Sequence, residues 1–467
     1  MATSEFKICK GSHLHFVGIG GIGMSGLAQL FKAAGCVITG SDRGADNHEN
    51  AAIIEPLGKQ GIKIFPQDGS FFKSVKPDCL IYSTAIEEDN PDFAAAGNVP
   101  RLHRAEALRQ AIKLYSRQKS VAVTGSCGKT TVTAWLSEAL ENLGAAPSCL
   151  DGGLVNCYRS GELAGNFKAG TGDYFVFEAD ESDKSLLSYS ADYSLILNIA
   201  TDHYPREVLE DIFGEFASKT RLGIAIQYEV YEVLKNRIPE SCKVVTFSAS
   251  KSEADIFVNE YSSQDGCPAA VINGNKVNLP LPGMHNAENT AGVLAMLQLL
   301  EMPADYSRNA VSDFHGVWRR FDYAGKTAAG AVVYDDYAHN PEKIVSFISS
   351  MQESASGKVF AVFQPHGYGP LGFMREALFI MLENCLRPSD EFIFMPPYYA
   401  GGTSSFKPTS VEVAASYRAK SSRHYECIPE RNQLKAHLLH YAGKGDAVLI
   451  MGARDNSLSD FAESLVK

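Results

Sequence analysis

Nowhere in the 467 residues does an apolar run approach the length of a membrane span, so no helical membrane segment is expected. The opening stretch MATSEFKICKGSH has no apolar core and does not read as a secretory signal. A basic excess is also missing. Lys and Arg number 43 against 54 Asp and Glu, a formal net charge of −11, which argues against a nucleic-acid backbone or an anionic membrane as the main partner. Small anions are not excluded, because a glycine-rich loop at a helix N-terminus makes its own positive field. The ten cysteines are scattered, with no C-x-x-C pair and no clustering with histidine. In a large acidic chain that pattern points to reduced thiols in a cytoplasm, most of them small core residues. Internal repeats, low-complexity tracts and Pro/Ser-rich linkers are absent too, so no composition shift marks a domain boundary.

With 45% hydrophobic and 21% charged residues the composition is that of a soluble globular protein, and its length asks for two or three domains. Apolar strand-like runs alternate with amphipathic helical stretches almost throughout, the pattern of α/β layers with parallel sheets. HLHFVGIG, CVITGSD, GIKIF and DCLIYSTAI read as strands of a first domain over residues 1–117. The helical HRAEALRQAIKLYSRQ leads into a second domain, 118–319, with strands at YFVFEAD and YSLILNIATDH. KVVTFS and DIFVNEY read as a more antiparallel extension of it, and HNAENTAGVLAMLQLL as its last helix. A third domain, 320–467, runs through KVFAVFQP, DEFIFMPPYYA and DAVLIMG, again strand followed by helix or loop.

Two segments carry the chemistry of phosphate binding. In VAVTGSCGKTT, Val121 to Thr131, a buried-type strand breaks into Gly125, Ser126, Cys127 and Gly128 and ends in Lys129, Thr130 and Thr131 before a helical stretch. A strand, a glycine turn and a helix N-terminus gather several backbone N–H groups around one point, and the helix dipole adds partial positive charge there. Lys129 would supply a full charge for terminal phosphates, and a threonine hydroxyl a ligand for Mg²⁺. The spacing is G-x-x-G-K-T-T, with Val123 where a standard Walker A has its first glycine. Near the N-terminus, Gly18, Gly20 and Gly23 satisfy G-x-G-x-x-G between a strand and a helix, and Asp42 ends the next strand. That is the dinucleotide fingerprint, and taken alone it favours an NAD(P)-binding oxidoreductase. A dehydrogenase has no use for a second, ATP-type site, whereas a ligase acting on a nucleotide-linked substrate has. Carboxylates at Glu178, Asp180, Glu181 and Asp183 end a strand beside the P-loop, where Mg²⁺ would be held by hard oxygen ligands. Asp202 and His203 end the next strand, where an imidazole could ligate a second metal ion or orient a carboxylate.

The ordered blocks HFVGIGGIGMSGLA, GSD, STAIEEDNP, RAEAL, TGSCGKTT, GGLVN, EADESD, PGMHNAENT, GVWRRF, DDYAHNP, FQPHGY and GDAVLIMGA resemble the Mur ligases over nearly the whole chain. The likeness is greatest to the branch that acts on UDP-N-acetylmuramate and L-alanine. The resemblance implies a Rossmann-like UDP-binding domain, a central P-loop ATPase and a C-terminal Rossmann-like α/β domain. It also implies an ATP- and Mg²⁺-dependent amide ligase of peptidoglycan precursor synthesis, cytoplasmic, and a monomer or weak homodimer. The substrate carboxylate would attack the γ-phosphate of ATP, and the resulting acyl phosphate would be attacked by an amino-acid amine. Carried over position by position, UDP would lie against Gly20, Gly21 and Gly23, with Ser41, Asp42, Ser83 and Thr84 near it. ATP would meet the loop Gly125 to Thr131, and Mg²⁺ would be held by Thr130 and Glu178, with His203 at a second metal. His285 and Asn289 would contact the adenine end, Arg320 the γ-phosphate and Asp336 the ribose. Tyr337, His339, His366 and Tyr368 would line the region of the amino acid. His285 could instead cap its helix, and Arg320 could form an interdomain salt bridge.

The chain departs from the family pattern inside these blocks. Ser126-Cys127 stands for the usual Thr-His, His339-Asn340-Pro341 for His-His-Pro, and Thr201 to Pro205 for Ala-Asp-His-Met-Asp. Gly367 and Gly369-Pro370-Leu371 occupy positions where the resemblance leads one to expect arginines and threonines near the amino acid. Glycine cannot replace a bidentate cation. A paralogue with a different amine or acyl substrate, such as a muropeptide-recycling ligase, is therefore the second reading, with Arg375 as a candidate replacement cation. Cys127, at a helix N-terminus beside Lys129, is expected to be a reactive thiol that ATP protects, or else an inert filler.

Overall fold

A computed structural model describes residues 6–45, 50–181, 185–200, 204–264, 267–399 and 405–467. The chain divides into two compact units, one of Met1–Glu260, Val271–Val277 and Ala287–Val317, the other of Tyr261–Ala270, Asn278–Asn286 and Trp318–Lys467. The expected first domain falls in one unit together with most of the expected second, whose residues 261–270, 278–286 and 318–319 belong to the other.

The first unit contains a five-stranded sheet of β1 (His13–Val17), β2 (Val37–Asp42), β3 (Lys63–Pro66), β4 (Cys79–Tyr82) and β5 (Arg101–His103), in the order β3-β2-β1-β4-β5. Every pairing is parallel. β1 and β2 are buried along nearly their whole length, as strands covered on both faces must be. β1 sits where the strand order reverses, so the loop after it opens into the crevice at the carboxyl ends of the strands.

A second sheet follows, of β6 (Lys119–Thr124), β7 (Ser148–Leu150), β8 (Phe167–Lys168), β9 (Tyr174–Glu178), β10 (Tyr193–Ile196), β11 (Gly223–Gln227), β12 (Lys243–Ser248) and β13 (Ile256–Gln264). The sheet has ten strands, and along these eight the order is β13-β12-β11-β10-β6-β9-β7-β8, parallel except for the β7–β8 pair. The strands β14 (Cys267–Ile272) and β15 (Asn275–Asn278) come next in sequence. In the helix Lys129–Asn142, Trp135 is fully buried. Its ring stacks on Phe314 with centroids 5.0 Å apart and its indole N–H donates to the Val311 carbonyl at 2.7 Å. Truncating such a residue costs roughly 3–5 kcal/mol.

Two sequence expectations are corrected here. β12 and β13 pair in parallel, Phe247 with Ile256 and Ser248 with Phe257, where an antiparallel extension was expected. β13 starts level with the end of β12 and runs on in the same direction, so the short link 249–255 has no need to carry the chain back. The helix Met284–Leu299 is also not the last of its region, since Ala304–Ser312 forms another.

The second unit is built on β16 (Asp322–Lys326), β17 (Val332–Asp336), β18 (Val359–Phe363), β19 (Glu391–Phe394), β20 (His424–Cys427) and β21 (Ala447–Met451), ordered β16-β17-β21-β18-β19-β20. Only β16 runs antiparallel to its neighbour. β18 and β21 are buried at every position. Ala361, Phe363 and Leu449 pack on one side with Phe347, Leu371 and Leu378, and Phe360, Val362 and Ile450 on the other with Leu434, Leu438 and Phe461.

Candidate active site

At the first glycine loop the polar groups bind the loop itself. Asp42 accepts from Gly20 N at 2.7 Å and from Gly44 N at 2.8 Å, so its carboxylate pins the turn. A Cβ at Gly20 would lie 2.7 Å from Asp42 Oδ2, which is why that position takes no side chain. Gly21 precedes the helix Ile22–Ala33, whose first-turn N–H groups face the crevice end. Ser41 is fully buried and donates to Asp92, which also accepts from Gly69 N at 2.9 Å. Ser83 and Thr84 follow β4, in a loop whose Ile86 lies against Gly18.

The P-loop takes the form read from the sequence. β6 ends at Thr124, Gly125 and Gly128 have φ of +144° and +87°, and the helix begins at Lys129. Asn198, just past β10, clamps the turn. Its Oδ1 accepts from Cys127 N at 2.8 Å, its Nδ2 donates to Cys127 O at 3.0 Å, and its own carbonyl accepts from Ser126 N at 3.1 Å. Ser126 Oγ in turn accepts from Ala200 N at 3.0 Å. Asn289 adjoins the turn as well, since a Cβ at Gly128 would stand 3.4 Å from its Oδ1. His285 is exposed one turn earlier on the same helix.

Lys129 donates to Gly125 O at 2.9 Å and forms ion pairs with Glu181 at 2.8 Å and Asp180 at 3.7 Å. Burial pushes this ammonium down, but Glu181, Asp180 and Glu178 outweigh it and hold the lysine above its usual range. Glu178 ends β9 and accepts from Gly152 N at 3.1 Å. The glycine pair Gly152-Gly153 fits closely there, because a side chain at Gly152 would collide with the Glu178 carboxylate and one at Gly153 would come within 2.7 Å of the Thr130 methyl group. Thr130 and Glu178 therefore flank one short loop, while Thr131 follows in the first helical turn. His203 and Asp183 lie outside the described residues.

Gly23, Arg104, Asp151, Gly152, Glu178, Asp180 and Tyr189 line a single cleft. Arg104 reaches Asp180 at 3.4 Å, and a Cβ at Gly23 would lie 3.2 Å from its Nη1. One cleft thus carries residues of both glycine-loop regions. Arg104 and Asn198 were not singled out from the sequence. Arg104 sits in the RAEAL block and Asn198 ends a strand beside the P-loop strand, and that adjacency is the signal that could have found it.

In the second unit the tandem arginines part company. Arg319 is 2% exposed, pairs with Asp335 at 3.1 Å, and donates to the Gly452 carbonyl. Arg320 has no ion pair among the described residues, and its guanidinium lies 5.1 Å from the centre of the Tyr337 ring. Asp336 accepts from Phe321 N and Ala338 N, both at 2.7 Å. His339 donates from Nδ1 to the Tyr337 carbonyl at 3.0 Å and meets His366 edge to face, centroids 5.4 Å apart. Burial first, then Lys343, His366 and Arg320, hold His339 down at about 4 against the pull of that carbonyl. Both imidazoles are neutral at pH 7, since His366 is also lowered, by burial and then by Arg454. Tyr368 opens the helix Tyr368–Cys385 and packs edge-on against Phe406. Among the described residues no group of three or more His, Cys, Asp or Glu could hold a metal by themselves, and no helix is long and apolar enough to cross a membrane.

Three family models match the chain: the Mur ligase family catalytic domain over residues 13–116, the Mur ligase middle domain over 123–297, and the Mur ligase glutamate ligase domain over 319–454. A UDP-N-acetylmuramate–L-alanine ligase of Chelativorans sp. strain BNC1 is 31% identical over 97% of each chain. The crystal structure of the UDP-N-acetylmuramate–alanine ligase MurC of Thermotoga maritima aligns with a TM-score of 0.78 and 27% identity, over 97% of this chain and 99% of that one. A murein peptide ligase of Psychrobacter arcticus shares the fold, with a TM-score of 0.67 at 20% identity over 97% and 98% of the two chains.

Proposed function

The chain belongs to the Mur ligase family, and from that premise we propose that it joins L-alanine to the carboxylate of UDP-N-acetylmuramate at the expense of ATP. The observation that carries this reading is the cleft in which Gly23 of the first glycine loop and Glu178 and Asp180 beside the P-loop are lined up together. A nucleotide-linked acid anchored at the first loop would present its carboxylate to the P-loop. The oxidoreductase reading accounts for the first loop only and falls with family membership. We place the domain boundaries near residues 117 and 319, and take the enzyme as a cytoplasmic monomer or weak homodimer.

The residues present fit a Mg²⁺–nucleotide. The P-loop is already shaped, and Thr130 and Glu178, both hard oxygen donors, flank the Gly152-Gly153 loop. Mg²⁺ held by these two would supply charge neutralisation between the reacting anions. Lys129 must exchange its bond to Gly125 O for a phosphate oxygen while Glu181 keeps the ammonium charged. The helix N-terminus adds the N–H groups that oriented phosphates require. A substrate carboxylate oxygen attacks the γ-phosphorus and ADP departs. The amine then attacks the acyl carbon, inorganic phosphate leaves, and the ammonium proton is given up. No covalent enzyme nucleophile takes part, so catalysis rests on positioning and electrostatics. Arg320 is assigned to the transferred phosphoryl group, Asp336 to the ribose, and His285 and Asn289 to the adenine end. Tyr337, His339, His366 and Tyr368 are assigned to the incoming amino acid. His339, neutral and with Nδ1 committed to Tyr337 O, offers Nε2 as an acceptor for the amine proton.

A second reading, a ligase with another amine, is favoured by Gly367 and Gly369-Pro370-Leu371, which stand where the family resemblance leads one to expect arginines and threonines. Phosphate release from ATP and Mg²⁺ with UDP-N-acetylmuramate, against L-alanine, glycine and L-serine, separates the two. Turnover that needs both the sugar nucleotide and L-alanine supports the first reading. Turnover with another amine supports the second, and failure with every amine while ATP still binds overturns both.

A further inference from the structure

In the second unit the three central strands end level. Asp336 of β17 and Phe363 of β18 both pair with Met451 of β21. One residue on, Gly452 N donates to Asp336 O at 3.2 Å and Gln364 N to Met451 O at 2.8 Å. Three residues beyond each strand end stand His339, Arg454 and His366. Because β21 is the middle strand, Arg454 rises between the loops of the two histidines.

The backbone around Arg454 is fixed on both sides. Before it, the Gly452 carbonyl accepts from Arg319, and a Cβ at Gly452 would lie 2.8 Å from Leu458. After it, the Asp455 carboxylate takes Arg431 Nη2 at 2.6 Å and Ser457 N at 3.0 Å. Held between these anchors, Arg454 is exposed and has no carboxylate within ion-pair distance among the described residues. Arg375 is differently placed. It lies beside Glu376 at 3.6 Å, and its carbonyl accepts from Tyr417, on the helix Ser410–Lys420.

We infer that Arg454 is the cation that grips the α-carboxylate of the incoming amino acid, an inference that rests on the ligase reading above. A rigid loop, a free guanidinium and, beside it, His366 in edge-to-face contact with His339 make a receptor for a group with one anionic and one amine end. The planar fork of arginine suits a carboxylate in two-point contact. His366 strengthens the assignment, since its Nδ1 is closed off from solvent with no hydrogen-bond partner among the described residues. Lys343, a turn into the helix Pro341–Ser354, is a compact point charge and serves as the comparison.

The test compares the amino acid that turns over fastest among L-alanine, glycine and L-serine with its own carboxamide, in wild type, Arg454→Gln, Arg454→Lys and Lys343→Ala. Acyl-phosphate formation is read separately, as hydroxamate trapped by hydroxylamine without amino acid. A charged hydrogen-bonded pair accounts for a preference of about 10- to 100-fold for the carboxylate over the amide. In Arg454→Gln the KM for the amino acid should rise by about that factor, the preference should fall to near one, and hydroxamate formation should stay at the wild-type rate. Arg454→Lys should keep part of the preference and Lys343→Ala all of it. Normal hydroxamate formation with an unchanged preference in Arg454→Gln, or a preference lost in Lys343→Ala instead, overturns the assignment alone. Absence of hydroxamate in the wild type overturns the ligase reading and this assignment with it.

Discussion

Replacing Arg319 and Arg320 one at a time should break different things. Arg319 is 2% exposed, as is Asp335, and the pair meets at 3.1 Å. Arg319→Met keeps most of the stem but leaves the Asp335 carboxylate buried without its counter-charge, which costs about 3–5 kcal/mol. For a unit of this size 1 kcal/mol corresponds to roughly 2–4 °C, so the transition of the C-terminal unit should fall by about 6–20 °C. The double variant Arg319→Met/Asp335→Leu removes both charges and should recover most of the loss. Arg320, with no ion pair among the described residues, should behave otherwise. Arg320→Met should stay within about 0.5 kcal/mol of wild type, yet slow phosphate release by about 10²- to 10³-fold. Differential scanning calorimetry reads the first effect and a coupled phosphate assay the second. An Arg319→Met protein within 1 °C of wild type, or a double variant no better than the single, refutes the buried-pair argument. A stability loss in Arg320→Met as large as that of Arg319→Met refutes the division of labour.

Three further outcomes are expected. Glu178→Gln should raise the Mg²⁺ concentration needed for half-maximal ATP turnover by at least about tenfold, by removing a charged ligand, and an unchanged Mg²⁺ titration would sink that role. His15 is fully buried, stacks on Phe71 at 4.1 Å and is held down at about 3 by burial and then His13. Its unfolded form takes up a proton below about pH 6.5 and the folded form does not, so stability present above that pH is lost as pH falls toward 3, about 2 kcal/mol of it by pH 5. His15→Leu should flatten the stability profile between pH 5 and 6.5, and an identical slope in wild type and variant would show that other groups set it. Cys127 is exposed beside the P-loop helix, and its alkylation should abolish ATP turnover unless ATP is present; mass spectrometry showing full alkylation with full turnover would defeat this.

The strand–turn–helix of the P-loop was readable because it needs only local signals, a buried run, glycines and a following helix. Glu178 was readable for a similar reason, as a carboxylate that directly follows an apolar run. What one sequence does not reveal is which side chains are consumed by the scaffold. Ser41 and Asp42 look alike as ligand donors, but Ser41 is turned onto Asp92 and Asp42 onto its own loop. Arg319 and Arg320 carry the same charge one residue apart, and only the fold separates them, by giving Arg319 a φ of +57° and a buried partner. Arg454 carried no signal, being one arginine in a short loop, and gains meaning only from the register of three strands far apart in sequence. The direction of β13 was misread because alternation along a strand fixes its faces and says nothing of its neighbour's direction.

The clamp of Asn198 on the P-loop has a thermodynamic consequence. A phosphate-binding loop that must be ordered by its ligand takes that ordering out of the binding free energy. Here the turn's N–H and C=O groups at Cys127 are already tied by one side chain. Nucleotide binding should therefore show a small heat-capacity change and an association rate little affected by temperature, the signature of a preformed site. An Asn198→Ala protein would have to fold its loop around each nucleotide it captures, and its binding should become markedly more exothermic and slower while the fully bound state stays the same.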